Sequence, residues 1–157
     1  MSQVRVRKAQ RVLLAAVAIG ALGYTGVALA AHPVKGASYS GQLAAPRTSY
    51  LVSFKVSANG KRVTALKINS TPFYCQGGGP PTPVSFASAT VSKTGTFTST
   101  GRYVISEGPL KGKVGTKLKI TGKFGKHGSE QGTVTSTFVK TSSCSGKSNY
   151  TTRALVG

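Results

Sequence analysis

Very few side chains in this sequence could carry out acid–base or nucleophilic chemistry. The chain has 2 acidic residues, Glu107 and Glu130, and 2 histidines, one of which is His127. Enzymatic proton transfer usually needs a positioned carboxylate, a histidine or a perturbed lysine. A glycosidase could use the two glutamates as its carboxylate pair. Both lie beside turn residues, however, so we expect both to be solvated at the surface.

His127, Ser129 and Glu130 fall within four residues and contain the residue types of a hydrolytic triad. A triad needs groups that converge from separate rigid elements, and one turn does not supply that arrangement. Two ligands are also too few for a metal site, and no glycine motif typical of phosphate binding lies between a strand and a helix. We therefore expect no enzyme, no metal and no cofactor.

The N-terminal thirty residues have the three-part pattern of a secretory signal. Four basic residues come first, residues 12–22 are apolar, and Ala28, Leu29 and Ala30 fit a cleavage site after residue 30. An uncleaved membrane anchor is the alternative, because residues 12–30 together are just long enough to span a bilayer. We expect a secreted or extracytoplasmic, surface-associated protein with no mature transmembrane segment. Residues 31–37 would be a flexible lead-in, and residues 38–157 a single domain.

The two cysteines, Cys75 and Cys144, are expected to form a disulfide, which is the usual state of paired cysteines in an exported chain. Such a bridge would close a loop of roughly 70 residues and stabilise the fold by about 4 kcal/mol. The alternative is a catalytic thiol, which needs a neighbouring base such as His127.

The charge of the chain is strongly positive. It has 21 basic and 2 acidic residues, and without the signal segment 17 basic residues and a formal charge of +15 remain. Such an excess attracts nucleic acid, anionic lipid or anionic wall polymer. Five lysines in the stretch 111–140 have odd numbers, so an unbroken strand would place them on one face: Lys111, Lys113, Lys117, Lys119 and Lys123. The alternative is an ordinary solvated strand face that prevents edge aggregation.

Residues 117–124 alternate between apolar and polar side chains, which predicts a strand. A helix would place Leu118 and Ile120 about 200° apart, whereas a strand places both on one buried face. Residues 125–129 would form a turn, and residues 132–140 the returning strand. The other predicted strands are 38–43, 50–56, 62–69, 84–91, 96–104 and 147–155, with a bulge between Val63 and Leu66. Residues 72–83 are rich in glycine and proline and are expected to form the longest loop.

About eight short strands without a helix predict a single all-β domain, either an antiparallel β-sandwich or a barrel. Threonines also recur at alternate positions, at residues 94–100 and 133–137. This pattern is similar to the threonine arrays of ice-binding proteins, but ordinary β-propensity explains it equally well.

Several short motifs together resemble uncharacterised small secreted all-β domains of actinobacterial type. They are Ser40-Gly41, the stretch 52–56, Lys93-Thr94-Gly95-Thr96-Phe97, Ile120-Thr121-Gly122-Lys123-Phe124, Gly132-Thr133-Val134 and the late Cys144-Ser145-Gly146. The resemblance implies export and an all-β fold, and it brings no active site. It departs at Arg153, where those domains have an aromatic residue.

The combined pattern predicts an exported, non-catalytic basic β-domain that associates with anionic polymer at or outside the cell surface. No aromatic residue alternates with the lysines, so base stacking and sequence-specific nucleic-acid recognition are not expected. Two alternatives remain: a structural secreted module whose charge serves only solubility, and a hydrolase of cell-wall material.

Overall fold

A computed structural model describes residues 31–44, 50–69, 83–139 and 145–155. These residues contain nine β-strands and one 3-10 turn at Lys126–Gly128. The strands are β1 Ser38–Leu43, β2 Leu51–Val56, β3 Arg62–Ile68, β4 Val84–Ser85, β5 Ala89–Thr90, β6 Thr96–Val104, β7 Val114–Phe124, β8 Ser129–Phe138 and β9 Ser145–Leu155. Within this part of the chain, no helix is long and apolar enough to cross a membrane.

The strands form one antiparallel sheet that curls into a nearly closed barrel. Its spatial order is β4-β3-β2-β1-β9-β8-β7-β6. Neighbours in sequence are therefore paired from β1 to β4 and from β6 to β9, and β9 returns beside β1. The short strands β4 and β5 both pair with β3. Between them, Phe86 forms a bridge to Gly101 of β6, and the Ala87 N–H donates to the Thr100 carbonyl over 3.1 Å. The sheet is therefore barrel-like, and the predicted all-β antiparallel fold is confirmed.

Every long strand buries alternate side chains, as the period-two pattern predicts. On β7, Leu118, Ile120 and Phe124 point inward and are at most 2 % exposed. Four aromatic rings fill one end of the interior. Tyr39 stacks on Phe54 with ring centroids 4.9 Å apart, and the rings of Phe97 and Phe124 close the cluster. Such contacts add to the hydrophobic burial that stabilises the barrel.

The predicted bulge in β3 is present and has a local cause. The register against β2 shifts between Ser53 and Lys55, opposite Ala65, whose φ of 50° is left-handed. Two predicted boundaries, β1 and β6, agree with the structure to the residue. The predicted fourth strand instead divides into β4 and β5, because the backbone changes partners between them: the Phe86 N–H still donates to the Leu66 carbonyl of β3, whereas the Ala87 N–H donates to the Thr100 carbonyl of β6.

Three predictions fall outside the described residues: the signal segment 1–30, the Cys75–Cys144 disulfide and nearly all of the loop 72–83. Residues 31–37 are described, and they lie against the barrel. The Val34 N–H donates to the hydroxyl of Tyr39 over 2.9 Å, and the Gly36 N–H donates to the Ser57 carbonyl over 3.2 Å.

Replacing Ala65 with glycine should stabilise the protein. Ala65 is exposed and holds a φ of 50°, a conformation that costs an L-residue about 1–2 kcal/mol and glycine almost nothing. Because glycine also makes the unfolded chain more flexible, we expect a net gain of roughly 0.5–1 kcal/mol in the free energy of unfolding. Urea unfolding of Ala65→Gly measures it. The control is Ala87→Gly, at an exposed site with an ordinary φ, which should lower the free energy of unfolding. If both variants lower the free energy of unfolding, Ala65 is not strained.

Candidate functional site: a basic face above a buried carboxyl

The lysines singled out in the sequence divide into two groups. Lys117, Lys119 and Lys123 are exposed on the outer side of β7. Lys111 and Lys113 precede that strand, in the connection from β6, where they are exposed but outside the ladder. Gly112, with a φ of 80°, turns the chain between them. Strand alternation therefore groups three of the five lysines, and the other two extend the charge beyond the end of β7.

Three further basic residues join these lysines through strand pairing. Arg102 of β6 lies directly opposite Lys117, Lys147 of β9 lies opposite Thr135, and Arg153 of β9 lies opposite Ser129. We call the outer side of β6–β9 the basic face; its charged residues are Arg102, Lys117, Lys119, Lys123, Lys147 and Arg153, all exposed. No acidic residue points outward from these four strands. Sequence spacing could not reveal this grouping, because it depends on the register between strands.

The threonines lie on the same surface. Thr98, Thr121 and Thr133 are consecutive partners across β6, β7 and β8, and the hydroxyls of Thr121 and Thr133 are 2.9 Å apart. The lysine and threonine patterns, which appear separate in the sequence, thus form one surface of ammonium and hydroxyl groups.

A groove crosses this surface at right angles to the strands, open to solvent and about 530 Å³ in volume. Its floor is formed by four residues that are cross-strand partners in turn: Phe97, Gly122, Gly132 and Tyr150. The two aromatic side chains point inward, and the two glycines have no side chain. Two outward rows form its walls: Thr98, Thr121, Thr133 and Asn149 on one side, and Thr96, Lys123, Gln131 and Thr151 on the other. Hydroxyl and amide groups therefore line the groove, with one lysine in its wall.

Gly122 and Gly132 are cross-strand partners, and together they explain why the backbone at the groove floor lies so close to interior side chains. A Cβ on Gly122 would overlap both the carboxyl of Glu130 and the ring of Phe97. A Cβ on Gly132 would overlap the Thr121 carbonyl and lie 2.7 Å from the ring of Tyr150. Only glycine lets another group approach the backbone this closely. The groove floor is thus the outer side of backbone that rests directly on interior side chains.

Glu130 is one of these interior side chains, and the expectation of a solvated turn residue was wrong. It is 1 % exposed. The turn between β7 and β8 is tighter than predicted, since His127 and Gly128 have φ values of 55° and 68°. Strand β8 consequently begins at Ser129, and Glu130 enters the ladder opposite Phe124 and Thr152 on the inward side.

The carboxyl of Glu130 is held by two hydroxyl groups. Thr152 donates to Oε2 over 2.6 Å, and the Tyr150 hydroxyl lies 2.7 Å from Oε1. The same Tyr150 hydroxyl lies 3.2 Å from the Thr121 carbonyl. A phenol has one proton and can donate to one acceptor at a time. If the carboxyl is protonated, it donates to Tyr150, and Tyr150 is then free to donate to Thr121, so every contact is satisfied.

Burial raises the pKa of Glu130 from 4.5 to about 7, and the hydrogen bonds from Thr152 and Tyr150 only partly oppose this. Burial, followed by the charge of Glu130, raises the pKa of Tyr150 as well. The charge of Glu130 also contributes to the raised pKa of Tyr39, although burial of that phenol is the main cause. No basic side chain contacts Glu130 in the described part of the chain. It is a proton-binding group closed off from solvent.

The candidate triad residues do not converge. His127 is exposed on the 3-10 turn, Ser129 donates its hydroxyl proton to the Lys126 carbonyl over 2.8 Å, and Glu130 points into the barrel. Glu107 is exposed in the connection before β7, so the two carboxyls do not face each other. Among the described residues, His, Cys, Asp and Glu side chains form no group of three that could hold a metal ion.

No protein-family model, curated protein or solved structure matches this chain. The chemistry of the basic face and of the groove is therefore the basis of its proposed function.

Glu130 should make the protein less stable as the pH rises. Its folded-state pKa lies above its unfolded value, so its stabilisation is fully present below about pH 4.5 and is lost as the pH rises through 7. At 1.4 kcal/mol per pKa unit the total loss is about 3 kcal/mol. Glu130→Gln, a mimic of the neutral acid, should match the wild type at pH 4.5 and exceed its free energy of unfolding at pH 8.

Chemical denaturation at several pH values measures this difference. The matched control is Glu107→Gln, which removes an exposed acid and should keep the wild-type profile. If Glu130→Gln and the wild type lose stability in parallel between pH 4.5 and 8, the carboxyl is not protonated in the folded protein at low pH.

Proposed function

We propose that this protein is an exported, non-catalytic domain that associates with anionic polymer at or outside the cell surface through its basic face. The observation that carries the proposal is the one-sided surface of β6–β9, on which six cations occur without an outward acidic residue. Export is supported by the signal-like pattern of residues 1–30. The structural module and the wall hydrolase are the competing hypotheses.

The spacing of the charges suits a linear polyanion. Lys117 and Lys119 occupy alternate positions on β7, so they are roughly 6.6 Å apart, and the neighbouring strands lie about 4.8 Å to either side. Cations at these distances can contact successive charges of one extended chain. Because all six are exposed, a polymer could reach them without a change in the fold.

The charges on the basic face also repel one another. Arg102 and Lys117 are direct cross-strand partners, and like charges in that position destabilise a sheet. Sheets usually relieve such repulsion with an acidic neighbour, but the outer side of β6–β9 has none among the described residues. A bound polyanion would relieve this repulsion and release its own counterions, and both effects favour association.

The salt dependence of binding to duplex DNA, used as a test polyanion, measures the contribution of the face. With about five phosphate contacts, affinity should fall roughly 500-fold between 50 and 200 mM salt. Changing Lys117, Lys119 and Lys123 to glutamine should remove three contacts, so the same salt change should then weaken binding only about 10-fold.

The matched control changes Lys35, Lys55 and Lys67 to glutamine. This variant loses the same charge from exposed positions outside the face; Lys55 and Lys67 lie on the outer side of β2 and β3. Its salt slope should stay close to that of the wild type. Equal salt slopes for the two triple variants would mean that binding depends only on the total charge of the protein and not on the basic face. That result would favour the structural module. Absence of binding at low salt to DNA, teichoic-type polymer and anionic vesicles would remove the proposal.

A further inference from the structure

We infer that the groove across β6–β9 binds a segment of an acidic polysaccharide, in preference to a polyphosphate or nucleic acid. This inference rests on the proposed function, because it names the class of anionic polymer that the basic face would take. It follows from the composition of the groove walls, from the position of the charges around them and from the direction of the groove.

The walls of the groove present donors and acceptors together. Thr96, Thr98, Thr121, Thr133 and Thr151 supply hydroxyls, and a hydroxyl both donates and accepts hydrogen bonds. The side-chain amides of Gln131 and Asn149 likewise have an NH₂ donor and a carbonyl acceptor. Sugar hydroxyl groups also donate and accept, so each wall residue can be satisfied by a carbohydrate chain.

A phosphate polymer would satisfy these walls less well. Its ionised oxygens only accept hydrogen bonds, so the carbonyl oxygens of Gln131 and Asn149 would face acceptors and lose their hydration without compensation. A site intended for phosphates alone would be lined by cations and N–H donors. Here the lining contains one cation, Lys123, among seven neutral polar residues in the walls.

The remaining charges flank the groove. On one side, the row beyond Thr121 and Thr133 contains Lys119 and Lys147, separated by Thr135. On the other side, Arg153 lies two positions beyond Thr151 on β9. A sugar chain in the groove could therefore hydrogen-bond to the neutral walls while its carboxylate or sulfate groups project towards cations on either side. This arrangement is complementary to an acidic polysaccharide.

The direction of the groove fits an extended chain. Its four strands are about 4.8 Å apart, so the floor from β6 to β9 is about 14 Å long. One strand spacing is close to the length that one sugar ring adds to an extended glycan. Each ring can thus meet one residue from each wall, and the groove holds a segment of about three rings.

The inference is tested by measuring the binding of two polymers to the wild type and to two matched double variants. Polygalacturonate and a long-chain polyphosphate are titrated at the same salt concentration against the full chain. Thr121→Val combined with Thr133→Val removes a mutually bonded hydroxyl pair, so neither partner is left unsatisfied, and valine keeps the strand propensity. We expect about tenfold weaker binding of polygalacturonate and a change of less than twofold for polyphosphate.

The control variant, Thr100→Val combined with Thr135→Val, removes two hydroxyls from the same face outside the groove. It should change binding of either polymer by less than twofold. If the groove variant weakens both polymers equally, or neither, the groove does not select a polysaccharide and the inference is wrong, while the basic face can still bind polyanions. If neither polymer binds the wild type, the proposed function itself has failed.

A second measurement does not depend on variants. The side-chain NH₂ signals of Gln131 and Asn149 in an NMR spectrum of the wild type report directly on the two walls. Polygalacturonate should shift both signals, and polyphosphate should leave them in place while it shifts the lysine side chains. Unchanged amide signals on saturation with polygalacturonate would overturn the inference.

Discussion

The close packing of Glu130, Phe97 and Tyr150 against Gly122 and Gly132 is the constraint on which the rest of the structure depends. It places a carboxyl group in the interior of a β-barrel and brings two strands onto it without intervening side chains. A buried carboxyl costs free energy unless its charge is removed or satisfied. In this fold the hydroxyls of Tyr150 and Thr152 satisfy it, and no cation among the described residues takes part.

The pleat explains why no basic residue of β7, β8 or β9 lies beside Glu130. Strands β7, β8 and β9 place their even-numbered residues inward and their odd-numbered residues outward. The basic residues of these strands, Lys117, Lys119, Lys123, Lys147 and Arg153, all have odd numbers, whereas Glu130 has an even number. The sheet therefore separates the charges onto opposite sides. The basic face therefore has positive charges without acidic neighbours, and the Glu130 carboxyl in the interior is hydrogen-bonded only by hydroxyl groups of the described residues.

The same packing shapes the outer surface. The floor of the groove, which contains Gly122 and Gly132, has no outward side chains. The threonine, glutamine and asparagine side chains on either side therefore form the walls of a groove. A substitution that adds a Cβ at Gly122 or Gly132 would displace the backbone outward, away from Glu130 or Tyr150. The floor of the groove would then rise and the groove would become shallower. The interior network and the proposed binding surface are thus two sides of one local arrangement, and the stability of the first supports the geometry of the second.

A large part of the fold could be predicted from the sequence, because alternation of apolar and polar side chains is local information. The strands β1 and β6, the bulge near Ala65, the all-β class and the outward direction of Lys117, Lys119 and Lys123 all follow from it.

Only the tertiary structure decided which strands pair with each other and which side chains become neighbours. Sandwich or barrel depended on whether β9 returned to β1 and whether residues 84–90 joined β3 to β6. The pairing of Arg102 with Lys117 depended on register, as did the row that joins Lys119 to Lys147 through Thr135 and the alignment of threonines from three strands. Register is set by pairing between segments that are distant in sequence. The burial of Glu130 depended on where one turn ended: two residues of left-handed backbone placed the strand start at Ser129, so an expected surface acid became a buried, inward-pointing residue.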